Sequence, residues 1–223
     1  MIPLRDDNPS ELKPVVVIAF IATCTLVYLW QFAQGAQGGA TVLYSLGLIP
    51  SVLFGINQLP ADLATVPPTL TVLTSMFMHG GWLHLIGNML YLWIFGDNVE
   101  DRFGHAKFVV FYLVCGIAAT FAQLAFSADS AVPNLGASGA VAGVLGAYLL
   151  LYPRGRVHVM MGRGVVPAPA LMVIGLWFAL QLFSGIGSVA SNVDDGGGVA
   201  YMAHVGGFVA GFLLTFLLRG KPV

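Results

Sequence analysis

Charged side chains are so few in this sequence that they leave long intervals without any charge. Asp, Glu, Lys and Arg make up 9% of the 223 residues, whereas an ordinary soluble domain contains about 25%. A soluble protein of this size needs more charge to cover its surface, and 57% of these residues are hydrophobic. Lipid is therefore the expected solvent for most of the surface. The charge-free intervals lie between Lys13 and Asp62, Asp62 and Asp97, Lys107 and Asp129, Asp129 and Arg154, Arg163 and Asp194, and Asp195 and Arg219.

These intervals predict six membrane-spanning helices. A bilayer core about 30 Å thick is crossed by about 20 apolar residues in a helix, and an open sheet exposed to lipid leaves backbone hydrogen bonds unmade. With glycine and proline taken as helix breakers, we expect an all-α membrane protein, a six-helix bundle with a long first outer loop. The predicted spans lie near residues 14–33, 80–97, 107–126, 137–152, 167–188 and 200–218. They define a membrane domain over 14–219, between a cytoplasmic segment 1–13 and a cytoplasmic tail 220–223.

The basic residues predict the orientation of the chain. All nine Lys and Arg residues fall in or beside the segments that a six-span chain places inside the cell. None falls in the outer loops near 34–79, 127–136 and 189–199. Because cytoplasmic loops carry an excess of Lys and Arg, we expect both termini to be cytoplasmic. A cleaved signal peptide is the alternative for the first span, but its apolar stretch runs from Pro14 past Trp30, longer than the roughly 7–15 residues of a usual signal.

The charge balance and the cysteines exclude two other kinds of organisation. Nine basic and ten acidic residues give a net charge of -1, so no basic face is available for nucleic acid. The two cysteines, Cys24 and Cys115, lie within apolar stretches. We interpret them as small apolar side chains rather than as a disulfide framework.

Polar residues recur at one depth on three of the predicted spans. Spans two, four and six all enter the membrane from the outer side. Near their starts lie His79, His84 and Asn88, then Ser138, and then His204. Polar groups inside a membrane are costly and mark functional sites by default. Their common depth therefore predicts one buried polar site near the outer face.

Glycines beside these residues favour close helix packing. Gly136 and Gly139 flank the serine, and Gly207 and Gly211 follow the last histidine at a spacing typical of helix contacts. Each polar residue also has a plainer interpretation when it is taken alone. A membrane serine often bonds the carbonyl four residues back, and a histidine can be a packing residue or a proton relay. Close packing of spans four and six would bring Ser138 within hydrogen-bond reach of the histidine.

The residue types limit the chemistry of this site. His79 and His84 resemble a metal pair, but their spacing of five is not that of ligands on one helix face, and no carboxylate lies nearby. We therefore expect neither a metal nor another cofactor. Carboxylates lie only at the inner ends of spans or in loops, which disfavours a Ser-His-Asp triad. The residues permit a Ser-His dyad with His204 as base for Ser138, and His84, Asn88 and the Ser138 N–H as oxyanion donors.

Four motifs in chain order carry a family resemblance. The first is His79-Gly80-Gly81-Trp82-Leu83-His84-Leu85-Ile86-Gly87-Asn88, with the pattern HxxxxHxxxN, and the second is Glu100-Asp101-Arg102, with the pattern ExR. The third is Gly136-Ala137-Ser138-Gly139, and the fourth is Ala203-His204-Val205-Gly206-Gly207 followed by Gly211. From about Thr71 to Gly211, the chain resembles the rhomboid intramembrane serine proteases of bacterial type, which have six transmembrane helices.

The resemblance implies a role for each of these residues. Ser138 would be the nucleophile and His204 the base, while His84 and Asn88 would line the oxyanion hole with the Ser138 N–H. His79, Gly136 and Gly139 would support the site. Glu100, Arg102, Gly207 and Gly211 would be structural, with Glu100 and Arg102 bracing the loop after span two.

The resemblance also implies the partners and the location. The substrates would be single-pass transmembrane proteins, cut within or near the membrane, and the only other expected partner is membrane lipid. The protein would be a multi-pass protein of the inner (plasma) membrane with its active site open to the outer side. The fifth span and the loop after it would act as gate and cap, and this span carries Trp177, Phe178, Gln181 and Phe183.

The sequence departs from the family pattern in two places. Many bacterial relatives carry a Trp-Arg pair in the first outer loop, which has no Arg here, and an aromatic residue four after the nucleophile, where this chain has Ala142. Neither departure removes a catalytic group. Two rival functions are a non-catalytic chaperone of rhomboid fold, which would bind membrane proteins without turnover, and a transporter. A transporter would place its polar groups near the midplane, often within an internal repeat.

Overall fold

The computed structural model describes residues 2–191 and 199–218, with side chains described up to residue 189 in the first range. The predicted tail and part of the predicted loop 189–199 lie outside the described residues. The helices are α1 (Val15–Ala33), α2 (Gly35–Leu46), α3 (Pro50–Leu53), α4 (Thr71–Thr74), α5 (Trp82–Phe103), α6 (His105–Leu124), α7 (Ser138–Leu151), α8 (Ala170–Ser191) and α9 (Tyr201–Leu218). Short 3₁₀ turns at Pro68–Leu70 and Ser75–Phe77 flank α4, and the strands are β1 (Ile2–Asp6), β2 (Arg156–Met161) and β3 (Gly164–Pro169).

Four of these helices are long and apolar enough to cross a membrane. They cover Val15–Ala33, His105–Leu124, Ala170–Val189 and Tyr201–Leu218. The two remaining predicted intervals contain α5, whose last turns are charged, and α7, which is apolar but only 14 residues long. The helical content and these apolar helices identify an integral membrane protein.

Two of the helix boundaries that differ from the predicted spans have a local structural cause. The second predicted span ends at residue 97, whereas α5 continues to Phe103 and stops at Gly104, whose φ of 78° is a conformation that favours glycine. The fifth predicted span starts at residue 167, whereas α8 starts at Ala170. Residues 167–169 are not helical because they pair with β2 as the end of a strand.

A small antiparallel sheet, in the order β1-β2-β3, corrects the prediction of an all-α protein. It joins the N-terminal segment to the segment predicted as an inner loop near 153–166. Gly162, at φ 61°, makes the tight turn between β2 and β3. The sequence signal for β2 was the alternation of polar and apolar side chains around Val157 and Val159, both of which are fully buried.

Hydrogen bonds tie the N-terminal segment to the ends of α5 and α7. The Tyr148 hydroxyl donates to Asp6 Oδ2 at 2.7 Å, and Asn98 Nδ2 donates to the Asn8 carbonyl at 3.0 Å. Burial raises the pKa of the Asp6 carboxyl, while the hydrogen bonds from Tyr148 and Asn8 oppose that rise. This polar cluster and the sheet therefore lie at the opposite ends of α5 and α7 from His84 and Ser138.

Glu100 is a fully buried carboxylate that caps another helix. Its two oxygens accept the backbone N–H groups of Val16 and Val17 at 2.9 and 2.8 Å. These are first-turn N–H groups of α1, which have no partner within their own helix. Glu100 Oε1 also lies 2.6 Å from Nδ1 of His105, across the turn between α5 and α6. One side chain thus joins α1, α5 and α6.

Replacement of Glu100 with alanine is expected to destabilise the fold. It leaves the N–H groups of Val16 and Val17 without an acceptor, and each unsatisfied buried group lowers the free energy of unfolding by about 1–3 kcal/mol. The thermal midpoint of unfolding in detergent should fall clearly, whereas the exposed Glu11→Ala should leave it unchanged. Equal midpoints for Glu100→Ala and the parent would show that the cap contributes nothing.

Candidate active site

Two histidines and an asparagine lie close together at the start of α5, with His79 in the segment just before the helix and His84 and Asn88 in its first turns. His84 and Asn88 are four residues apart and share a helix face. The side-chain amide of Asn88 lies 3.1 Å from Nε2 of the fully buried His79. The rings of His79 and His84 meet edge to face at 5.1 Å between centroids. The buried Gln31 of α1 donates to the His79 carbonyl at 2.9 Å, which holds this segment in place.

Gly136 brings the same face of α5 to the start of α7. A Cβ added to Gly136 would lie 2.6 Å from Nε2 of His84 and 3.6 Å from Nδ2 of Asn88. The residue has φ 118°, and its N–H donates to the carbonyl of Ser75 at 2.9 Å. Only glycine fits this contact. The predicted oxyanion donors therefore lie against the backbone two residues before Ser138, the first residue of α7.

Glycines bring α7 and α9 into direct backbone contact. A Cβ on Gly207 or Gly211 would overlap the carbonyl oxygen of Gly139 or Gly143, respectively. A Cβ on Gly139 would in turn lie 3.7 Å from the carbonyl oxygen of Ala203. Because Gly139 follows Ser138 and Ala203 precedes His204, the first turns of the two helices are neighbours. The predicted packing glycines thus lie at the interface between α7 and α9.

His204 is buried and is held from α8. Its Nδ1 lies 2.7 Å from Oε1 of Gln181, and its ring packs at 35° on Trp177 with 5.7 Å between centroids. Within residues 2–191 and 199–218, no hydrogen bond joins Ser138 to His204. The structure therefore brings the predicted nucleophile and base to adjacent helix starts, and the contacts of the base are with α8.

A cavity of about 40 Å³ adjoins the serine. Ser75, Thr120, Gln123, Ser138 and Ala203 are among its lining residues. Oε1 of Gln123 accepts the backbone N–H of Ala203 at 3.2 Å, so one wall is fixed to the start of α9. The cavity has room for one small group beside Ser138.

Gln31 and Gln123 have no role predicted from the sequence, and Gln181 was expected only as a residue of the gating fifth span and not as a partner of His204. The signal that could have found them is an amide side chain within an apolar helix, where a polar group needs a partner. Their partners lie 48, 80 and 23 residues away along the chain. Spacing along one helix contains no information about such contacts.

Apolar spanning helices with polar residues at three helix starts define a polytopic membrane protein with a buried polar site. A family model described as the Rhomboid domain matches residues 68–221, so this chain belongs to the rhomboid family. The resemblance drawn from the four motifs is thereby confirmed.

Individual relatives support the same assignment. The chain is 32% identical over 212 residues to the Rhomboid protease GluP of Bacillus subtilis, covering 94% of this chain and 36% of that protein. It is 32% identical over 187 residues to Rhomboid protein 1, mitochondrial, of Saccharomyces cerevisiae, covering 77% and 51% of the two chains. It is 34% identical over 153 residues to RHOMBOID-like protein 7 of Arabidopsis thaliana, covering 68% and 43%. The chain spans about a third to a half of the length of these relatives.

Proposed function

We propose that this chain is an intramembrane serine endopeptidase in which Ser138 is the nucleophile and His204 the general base. The observation that carries the proposal is the meeting of three helix starts. Gly136 lies against His84 and Asn88 of α5. The backbones of α7 and α9 are in contact at Gly139, the residue after Ser138. A family relative named as a protease supports the same class of activity.

The reaction follows from the roles of these two side chains. Ser138 Oγ attacks the scissile carbonyl carbon while its proton passes to Nε2 of His204. The tetrahedral intermediate carries a negative charge on the former carbonyl oxygen. His204 then returns the proton to the leaving nitrogen as the C–N bond breaks. A water molecule repeats the sequence on the acyl-enzyme ester and regenerates Ser138.

The geometry of His84 and Asn88 supports their role as donors to that oxyanion. Nδ1 of His84 faces the N–H of Gly80 at 3.5 Å and so acts as acceptor, which makes Nε2, the nitrogen beside Gly136, the protonated one. The Asn88 amide has two hydrogens, and the contact with His79 uses one. The first N–H groups of α7 lack partners within the helix and add a third donor at Ser138.

The proposed substrates are single-pass transmembrane proteins. Ser138 lies on an apolar, buried helix, so a peptide bond must enter from the membrane or its surface in extended form. The cavity of about 40 Å³ beside Ser138 favours a small side chain next to the scissile bond. A non-catalytic chaperone of rhomboid fold is the second candidate, and the absence of a Ser138–His204 hydrogen bond among the described residues is what favours it.

Turnover separates the two candidates. Purified protein is reconstituted in liposomes with a single-pass substrate that has Ala or Ser near the outer end of its transmembrane segment. A protease releases more than one equivalent of product per protein, with one defined cleavage site. A stable complex with uncleaved substrate would identify the chaperone and overturn the proposal.

We propose six spans, both termini in the cytoplasm of a plasma-membrane protein, and an active site that opens to the outer side. The nine-to-zero distribution of Lys and Arg supports this orientation. His84 and Ser138 lie at the starts of α5 and α7, and the sheet lies at the other ends of the same helices. Because the sheet is formed by segments proposed to be cytoplasmic, this arrangement supports a site near the outer face.

A pair of cysteine variants tests this orientation. Asp129 and Arg154 are both exposed but lie in a proposed outer and a proposed inner loop, respectively. The native Cys24 and Cys115 are fully buried, so they contribute little background. In intact cells, a membrane-impermeant maleimide should label Asp129→Cys and not Arg154→Cys, and both should react after lysis. Equal labelling before lysis would contradict the six-span topology.

A further inference from the structure

The base of the proposed dyad is held by a helix that carries neither catalytic residue. Trp177 and Gln181 are four residues apart on α8, so both face the same way. One packs on the ring of His204 and the other bonds its Nδ1. The position on α7 that would stack on this ring in many relatives is Ala142, which is fully buried.

We propose that Gln181 is a positioning residue that fixes the tautomer and orientation of His204. The inference rests on the proposed function, because it concerns how the base is held. An amide oxygen only accepts hydrogen bonds, so Oε1 at 2.7 Å requires the proton of the neutral imidazole to be on Nδ1. Nε2 then keeps its lone pair, which is the form that takes a proton from a serine hydroxyl.

This contact does in the membrane what a buried carboxylate does in a soluble triad. There, an aspartate bonded to Nδ1–H holds the histidine in the correct tautomer, and loss of that tautomer is costly. An ionised carboxylate would be expensive in an apolar bundle. A neutral amide supplies the same acceptor without that cost. The described part of α8 thus provides the hydrogen-bond acceptor for Nδ1 of His204. The carboxylates predicted at the ends of the spans are too far away to do so.

The position of Gln181 also links the base to the packing of α8. Most residues of the apolar stretch of α8, Ala170–Val189, are not buried by the rest of the protein, so this helix has much of its surface exposed. Phe178, three residues before Gln181 and so on the same side of α8, stacks on Phe208 of α9 at 4.2 Å between centroids. A displacement of α8 from α9 would separate Gln181 from His204. The base is therefore correctly held only while α8 is docked.

Two substitutions at this position separate positioning from simple packing. Gln181→Met keeps the length of the side chain and removes the oxygen acceptor, whereas Gln181→Glu keeps an oxygen at the same place. The rate at which a fluorophosphonate labels the protein is measured against pH in detergent. Gln181→Met should label about tenfold more slowly, the factor expected for one lost hydrogen bond. Gln181→Glu should retain most of the rate, because a carboxyl group keeps an oxygen that accepts from Nδ1–H whether or not it is ionised.

A spectroscopic measurement determines the tautomer of His204 directly, without substrate or label. In protein labelled with ¹⁵N-histidine, the His204 signals, assigned by their loss in His204→Ala, should show a protonated Nδ1 and an unprotonated Nε2. Gln181→Met should lose this preference. Leu180→Ala, a neighbouring change at a side chain that is 57% exposed, should leave both the spectrum and the rate unchanged.

The outcomes distinguish this inference from the proposed function. If the parent protein does not label at all, the proposed function fails, and the ¹⁵N spectrum still tests the tautomer. If the parent labels and Gln181→Met labels at the same rate with the same pH profile, Gln181 does not position the base. If Gln181→Glu is as slow as Gln181→Met, the side chain acts through packing, and the inference is overturned.

Discussion

Replacement of Ser138 with alanine is expected to abolish cleavage of a transmembrane substrate while the protein stays folded. The hydroxyl is the only group in the proposed mechanism that forms a covalent bond to the substrate. Loss of the nucleophile in a serine protease lowers kcat by about 10⁶. Substrate cleavage in liposomes should therefore fall below detection, and the thermal midpoint in detergent should be that of the parent.

A matched serine serves as the control for this result. Ser45 is buried, lies on α2 outside the proposed site, and its hydroxyl has no hydrogen-bond partner among the residues that the structure describes. Ser45→Ala should therefore cleave at the rate of the parent. Residual cleavage by Ser138→Ala at a rate near that of the parent would assign the chemistry to another residue.

Replacement of Asn88 with alanine is expected to lower kcat by about 10²–10³ and to leave KM nearly unchanged. The tetrahedral intermediate carries a full negative charge on oxygen, whereas the substrate amide carries only a dipole. A fixed donor in a water-poor site therefore stabilises the intermediate far more than the substrate. Removal of one such donor costs roughly 2.7–4 kcal/mol in the barrier. The measurement is steady-state cleavage at several substrate concentrations in the bilayer.

His84→Ala should behave in the same way, and the double variant shows whether the two residues act together. Both side chains lie against Gly136 and would serve one oxygen, so the double loss should be smaller than the product of the single losses. Gln34→Ala is a suitable control because the Gln34 side chain is exposed and its hydrogen bond, among the described residues, is to the Trp30 carbonyl one turn earlier. A raised KM at unchanged kcat in Asn88→Ala would place this residue in substrate docking instead.

The helices were predictable because charge and hydropathy mark them directly. Each predicted span coincides with one long helix (α1, α5, α6, α7, α8 or α9), and the ends agree within three residues except at the end of α5, which runs six residues further. The short helices α2, α3 and α4 lie outside the predicted spans. The sheet was missed because the polar–apolar alternation in Arg156–Met161 extends over only a few residues, too few to separate a strand from a loop. Its partners are β3, across a two-residue turn, and β1, more than 150 residues earlier.

The site was predictable to the extent that it follows from depth and spacing. His84 and Asn88 share a face because they are four apart, and glycines permit the close approach of α7 and α9. The partners of these residues are long-range contacts that no local pattern contains. Glu100 was expected to brace the loop after the second span, and its bonds to the start of α1 depend on how two distant helices meet. The contact of Gln181 with His204 is of the same kind, because it exists only once α8 packs against α9.

The central claim is that Ser138 is a serine activated by His204, and active-site labelling tests it most directly. Purified protein in detergent is treated with a fluorophosphonate, and the modified peptide is identified by mass spectrometry. The parent should carry a single label on Ser138, and both Ser138→Ala and His204→Ala should remain unlabelled with an unchanged thermal midpoint. Labelling of Ser138→Ala as strong as that of the parent would contradict the assignment of the nucleophile, and labelling of His204→Ala at the rate of the parent would contradict the assignment of the base.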